Sequence, residues 1–167
     1  MEIYYELHED DYIKFNLYHL RESEVYKKRV YIQKYLLNTV LAFMMFCIGT
    51  FVFNQSMLCW FLIALLFLII QIKTNEKQNE IREIKQIKKY LKEGDNRNLF
   101  SKKILKIDDE KIYIKSEFSE VVKDKKSIVK IKVYEDLLLL YENSVTAIII
   151  PTRYLEKEII EKLINNF

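Results

Sequence analysis

"LLNTVLAFMMFCIGTFVFNQSMLCWFLIALLFLIIQI", residues 36–72, is the stretch on which the fold turns. Leu36–Phe53 holds 18 positions without a charge and Met57–Ile72 another 16, with only Asn54, Gln55 and Ser56 between them. At about 1.5 Å per helical residue the two runs reach roughly 27 and 24 Å, close to the ~30 Å hydrocarbon core of a bilayer. Snorkelling flanks or local thinning of the bilayer make up the difference. A three-residue connection forces the helices to be antiparallel neighbours. The pattern predicts a membrane hairpin. A buried helical hairpin in a soluble protein is the competing reading, and so long an apolar stretch exceeds what a domain of this size buries in one hairpin.

Orientation follows from the cations, because Lys and Arg near the ends of spans are retained on the cytoplasmic side. Lys27, Lys28, Arg29 and Lys34 precede the first run, Lys73, Lys77, Arg82 and Lys85 follow the second, and the connection has none. Both termini are therefore expected in the cytoplasm, with Asn54, Gln55 and Ser56 as an external tip. The first 35 residues carry six Lys or Arg against seven Asp or Glu and read as a folded segment rather than a cleaved leader. Abundant Lys, Ile, Asn and Tyr with two Gly and one Pro suggest an AT-rich bacterial genome, hence a multi-pass protein of the bacterial inner membrane.

The net charge of +3 is unevenly spread. Residues 73–98 hold eight basic and five acidic side chains, and residues 99–167 hold thirteen and twelve. The surplus sits beside the membrane, where it favours anionic headgroups, and does not make the extended basic face that nucleic acid requires. Cys47 and Cys59 fall inside the spans and read as small packing residues; a disulfide would need the helices to meet at those positions.

Outward from the hairpin, four segments are expected. Residues 1–35 start with an alternating strand, Glu2–Leu7, which must pair with sheet from elsewhere in the chain. Glu9, Asp10 and Asp11 then open an amphipathic helix, and Ser23 caps a second helix leading into the first span. Residues 36–72 are the hairpin. In residues 73–98 Ile81, Ile84, Ile87 and Leu91 continue the helical pattern to Gly94, which makes one helix of 37 residues, about 55 Å long, from Met57. Its greasy stripe is expected to pack internally.

Residues 99–167 change to strands. Lys102–Ile107 and Lys111–Ser116 flank an Asp108-Asp109-Glu110 turn. Ser127–Tyr134, Leu137–Tyr141 and Thr146–Pro151 follow, the last two with unbroken apolar runs that need cover on both faces. A terminal helix, Tyr154–Asn166 capped by Thr152, carries Leu155, Ile159, Ile160, Leu163 and Ile164 as the stripe that can supply it.

The opening "YELHEDDYIKFNLYHLRES", the two-span hairpin, and "KIKVYEDLLLLYENSVTAIIIPTRYL" with its closing helix are where the chain resembles the YcxB-like family of bacterial membrane proteins. The likeness covers nearly the whole length and rests on layout, not on catalytic motifs. It implies an α+β membrane protein, a two-span transmembrane helical hairpin with a cytoplasmic pleckstrin-homology-like bent antiparallel sheet capped by a C-terminal helix. Where the family commonly has a Trp, this chain has Lys125 ahead of Ile128.

Chemistry-bearing motifs are sparse. Gly49 lies in a span and Gly94 at a helix end, so neither belongs to a phosphate-binding loop. His8 and His19 lack metal-site spacing, and Asp108-Asp109-Glu110 is a solvated turn. Asn38, Thr39, Thr50 and Gln71 are the notable polar groups of the spans, with no ionisable residue to mark a transport path. No catalytic residue, metal ligand or cofactor is expected. Lys123, Lys125, Lys126, Lys130 and Lys132 form a candidate face for an anionic lipid or an acidic partner, running through a loop and one strand face. Thr39, Ala42 and Gly49 at helical spacing admit close approach of Ala64 or of another subunit. The function expected is a non-enzymatic, membrane-anchored interaction module whose partners are membrane lipids and a membrane or membrane-proximal protein, with homo-oligomer formation compatible and nucleic acid excluded. The alternatives are self-immunity against a membrane-active bacteriocin through the external tip, and anionic-lipid sensing by the basic face.

Overall fold

The computed structural model of the chain describes residues 1–167, apart from the side chain of Asn166. It is α+β, with antiparallel sheets and two helices long and apolar enough to cross a membrane. Two compact units are present: Met1–His19 with Ile87–Phe167, and Leu20–Gln86. These boundaries cut across the segments drawn from charge and apolarity, because the first 19 residues fold with the C-terminal half of the chain.

The first unit is built on two antiparallel sheets. β1 (Glu2–Glu6), β2 (Lys102–Ile107), β3 (Lys111–Ser116) and β4 (Glu120–Asp124) form one sheet in that order, and β5 (Lys130–Val133), β6 (Leu137–Tyr141) and β7 (Ala147–Pro151) form the other. The strand at the N-terminus thus finds its partner in β2, with Ile3 opposite Leu105 and Tyr5 opposite Lys103. Register in this sheet is fixed twice over. Ile3, Tyr5, Leu105, Ile107 and Ile112 turn inward and are buried, while the outward residues set Glu2 against Lys106, Glu6 against Lys102, Lys115 against Glu120 and Lys111 against Asp124. A slip by one residue would invert the buried set and disrupt these charge pairs.

Every residue of β6 is buried, as its unbroken apolar run requires. One face of this sheet meets α1 (Glu9–Glu22): Tyr18 stacks on Tyr134 with ring centroids 4.0 Å apart, and His19 approaches Tyr141 at 6.4 Å. Leu138 and Leu140 alternate to the opposite face and join a core that includes Leu105, Ile112 and Leu163. Leu163 belongs to α5 (Lys157–Asn166), so the terminal helix takes part in the cover as expected, and α1 supplies a cover that the apolar pattern alone did not assign.

Three local expectations are corrected. Thr152 does not cap the terminal helix, which begins at Lys157 behind Glu156; its hydroxyl donates to the Glu135 carbonyl at 2.9 Å and so ties β7 to the β5–β6 turn. The strand expected over Ser127–Tyr134 is shorter, because Lys125–Ser127 is a 3-10 turn and Val129, whose amide donates to the Tyr141 carbonyl at 2.8 Å, shares Tyr141 with its register partner Lys130, as in a bulge. β4 falls where a loop was expected for Lys123. Its Val121 and Val122 are exposed, so no apolar-polar alternation announces it.

The second unit is helical. α2 (Glu24–Val52) and α3 (Met57–Glu93), of which residues up to Gln86 lie in this unit, are its two arms. Ser23 caps α2, accepting from the Tyr26 amide at 3.4 Å. Ile32–Leu37 and Ile48–Val52 are π-helical, so α2 widens near each end of its apolar run. On α2 the buried small-residue stripe is Asn38, Ala42 and Gly49, the last of which meets Trp60 of α3, and Ala64 of α3 is buried as well. Thr39, expected on that stripe, lies about 60° round the helix from Ala42 and is exposed. Beyond this unit α3 stops at Glu93, next to Gly94, and Asn96 Nδ2 donates to the Leu91 and Gly94 carbonyls at 2.7 and 3.1 Å. These bonds satisfy carbonyls that a helix end leaves without partners.

A short helix, α4 (Arg97–Phe100), connects to β2.

Candidate interaction surfaces

The five lysines singled out in the sequence lie on different faces. Lys123, in β4, is half-buried and its ammonium is bonded to Glu142, so its charge is already used. Lys125 and Lys126 share a surface depression with Asp109, Glu110 and Asp124. The Lys125 ammonium also sits 5.3 Å from the ring centre of Phe167. Lys130 and Lys132 are opposite Tyr141 and Leu139, on the face of the second sheet that α1 covers. The local field is therefore mixed in sign. A phosphate approaching Lys126 also meets three carboxylates, which weakens the case for a headgroup site there.

Of the four edge strands, β1 and β7 approach one another, and β4 and β5 remain as the candidate docking edges. β4 and β5 each have a neighbour on one side only. Hydrogen bonds of Lys125 to Glu110 and of Ser116 to Ser119 set the phase of the β3–β4 ladder, so that Glu120, Val122 and Asp124 direct their backbone groups away from β3. By the same alternation Ile131 and Val133 direct theirs away from β6. Val122, Val129 and Val133 add exposed apolar surface beside these edges. Such edges are templates for an added strand, and the lysines on β5 limit indiscriminate pairing.

A cleft of about 550 Å³ opens at the end of β1, β2 and β3, with Tyr4, Ile104, Lys103, Lys115 and Tyr154 among its walls. Burial pushes the Lys103 ammonium below its ordinary range, and it donates to the Leu99 carbonyl at 2.6 Å. Glu6 and Glu117 on the same walls offset the lysines, so the cleft offers no clear anion site. Among the described residues no three His, Cys, Asp or Glu side chains come close enough to hold a metal ion.

At the hairpin tip Asn54 takes a positive φ of 50°, which lets the chain reverse. Gln55 is held by Trp60, whose Nε1 donates to its Oε1 at 2.9 Å. Gly49 makes room for that indole: a Cβ on Gly49 would lie 1.9 Å from Trp60 Cδ2. Asn54, Gln55 and Ser56 are all exposed, but the tip is a braced turn with one side chain already engaged.

The most strongly built polar constellation was not foreseen in the sequence. Arg153 makes two hydrogen bonds of 2.7 Å to the carboxylate of Asp11 and one of 3.0 Å to the Glu6 carbonyl. The His8 amide donates to the same carboxylate at 2.7 Å. Burial by itself would push the Asp11 carboxyl up; the Arg153 hydrogen bonds, the His8 amide and the guanidinium charge outweigh it and hold the group below the ordinary carboxylate range. Next to it Asp136 accepts from the Tyr18 hydroxyl at 2.8 Å and pairs with Lys14 at 2.6 Å. The stretches quoted above as "YELHEDDYIKFNLYHLRES" and "IIIPTR" therefore meet in space, 142 residues apart in the chain. No local periodicity signals such a pair. The arrangement is that of a clamp, since both terminal guanidinium nitrogens are aimed at the chain itself.

No protein-family model, curated protein or solved structure matches this chain.

Proposed function

We propose that this chain is a non-catalytic interaction module held at the bacterial inner membrane by its helical hairpin, with both termini and the β unit in the cytoplasm. The observation that carries this reading is the outward display of apolar side chains on both long helices. Only 17% and 6% of their most apolar windows are buried within the chain, and Phe43, Phe51, Leu58, Phe61, Leu62 and Leu66 are exposed. A helix hydrophobic all round needs an apolar environment; water would leave these groups at a cost of about 25 cal/mol per Å². The four-plus-three strand arrangement with a closing C-terminal helix supports a pleckstrin-homology-like reading of the β unit, and the chain layout supports a YcxB-like one.

In this reading anchoring raises the effective concentration of the β unit for membrane-bound partners. The open edges of β4 and β5 are the surfaces for them. The test combines topology with capture. With Cys47 and Cys59 replaced by Ala, Asn54→Cys should react with an impermeant maleimide on intact cells, and Ser144→Cys only after permeabilisation. Photocrosslinkers at Tyr113 and Lys130 should then capture the same protein from native membranes, and Val133→Pro should abolish capture at Lys130. Labelling of Ser144→Cys on intact cells, or turnover of a phosphoester, peptide or lipid by the purified chain that a point substitution abolishes, would overturn the proposal.

A further inference from the structure

Charge is sorted on the helical unit. Past Ile72, where the apolar run of α3 ends, the carboxylates of Glu76 and Glu83 are engaged by cations of α2, and that of Glu80 by a cation at the end of α1. Lys34 meets Glu76 at 2.5 Å, Arg21 meets Glu80 at 3.1 Å, and Arg29 is bonded to Glu83. Asn75 and Asn79 are buried beside them, and Asn79 Nδ2 donates to Asn75 Oδ1 at 2.8 Å. At about 100° per residue, Lys73 and Lys77 fall on the half of α3 opposite Asn75 and Asn79, Lys85 lies to one side, and Arg82 comes back toward the Asn face. All four are exposed, and none forms an ion pair with an acidic side chain among the described residues. The acidic groups of this segment are paired within the chain, Glu76 and Glu80 at its surface and Glu83 mostly covered, whereas these four cations are left to solvent.

Their heights above the apolar run differ. Lys73 follows Ile72 directly, Lys77 lies about 6 Å further along the axis, and Arg82 and Lys85 about 14 and 18 Å beyond Lys73. The potential of an anionic leaflet decays over a Debye length of about 8 Å. Two ammonium groups one helical turn apart, each with three donors, match the two free oxygens of a phosphodiester. Tyr31 and Tyr35, exposed near the start of the first apolar run, supply rings suited to the headgroup layer.

We infer that Lys73 and Lys77 form a binding site for the phosphate of an anionic phospholipid at the inner face of the membrane, and that Arg82 and Lys85 stand beyond its reach. The site rests on the anchored-hairpin reading. The experiment uses the full chain in vesicles of phosphatidylcholine with a minority of spin-labelled phosphatidylglycerol, and reads enrichment of the labelled lipid in the protein's lipid shell. Enrichment should fall several-fold, to near that of labelled phosphatidylcholine, in Lys73→Gln/Lys77→Gln and in 0.5 M salt, on the order of fivefold per lysine at most. Arg82→Gln/Lys85→Gln should retain it. Absence of enrichment in the unmodified chain, or equal loss in both double variants, would overturn the site. Loss in the distal variant alone would overturn it too and move the lipid contact to Arg82 and Lys85. Flotation with phosphatidylcholine vesicles after an alkaline wash separately tests the anchor: a chain that does not float removes both the site and the reading beneath it.

Discussion

Asp11 and Arg153 illustrate how much one charge pair decides. Asp11 is 4% exposed, so an ionised carboxylate there depends on its donors. Removing one member of a fully buried pair costs about 3–5 kcal/mol; Arg153 is partly solvated, and about 2–4 kcal/mol is expected for Arg153→Ala. The pair also makes stability depend on acid. Because the folded carboxyl titrates below its unfolded value of about 3.9, its contribution is fully present above that pH and is lost as pH falls through the folded value. In melts from pH 7 to pH 3 the Asp11→Asn chain should start less stable and lose less on acidification than the unmodified chain. Equal acid sensitivity would show that other carboxylates govern the transition. The pair was invisible to the sequence reading, in which Asp11 served only a helix start and Arg153 only an ending to "IIIPTR".

At the scale of elements, the two arms of the hairpin were legible and their contact was not. Uncharged length marked α2 and α3, and the short connection made them neighbours. Which small residues touch depended on helical phase, which π-helical turns alter, so Asn38, Ala42 and Gly49 are inside and Thr39 is outside. Gly49→Ala is the sharp test: the added Cβ meets the Trp60 ring, which must swing off Gln55. Over-packing of this kind costs about 1–3 kcal/mol. The variant should show a shifted Trp emission and a lower melting temperature in detergent, and Trp60→Ala should be less harmful in its background than alone. Additive effects would show that the two residues do not meet. Among strands, β2, β3 and β6 were legible from period and apolar runs. β4 was not, because an exposed edge strand has no buried side to give it an alternation.

For the whole molecule, the consequence is that both ends of the chain build one β unit. Residues 99–167 looked self-contained, yet they lack β1 and α1. Ile3, Tyr5, Leu7 and Phe15 belong to the core, and at about 1.5–3 kcal/mol per buried side chain their loss removes roughly 6–12 kcal/mol. That is comparable to the whole stability of a domain, about 5–15 kcal/mol. The isolated 99–167 fragment is therefore expected to show no cooperative melting by circular dichroism. Residues 1–19 joined to 87–167 by a flexible linker should melt cooperatively. Cooperative folding of the short fragment would show that β1 and α1 are accessory.

By itself the sequence determined the features that depend on local composition: two uncharged runs of helical length, cations at their flanks, alternating strands and a polar turn. These follow from the period of the backbone and from the cost of leaving apolar groups in water, which act on neighbouring residues. Tertiary structure alone decided what depends on residues far apart. It paired Glu2–Glu6 with Lys102–Ile107, closed Arg153 on Asp11, and split the five lysines among different faces. It also paired Glu76, Glu80 and Glu83 of α3 with cations of other helices and left Lys73 and Lys77 exposed. Pairing energies of this kind arise only when separate elements meet, so no window along the chain contains them.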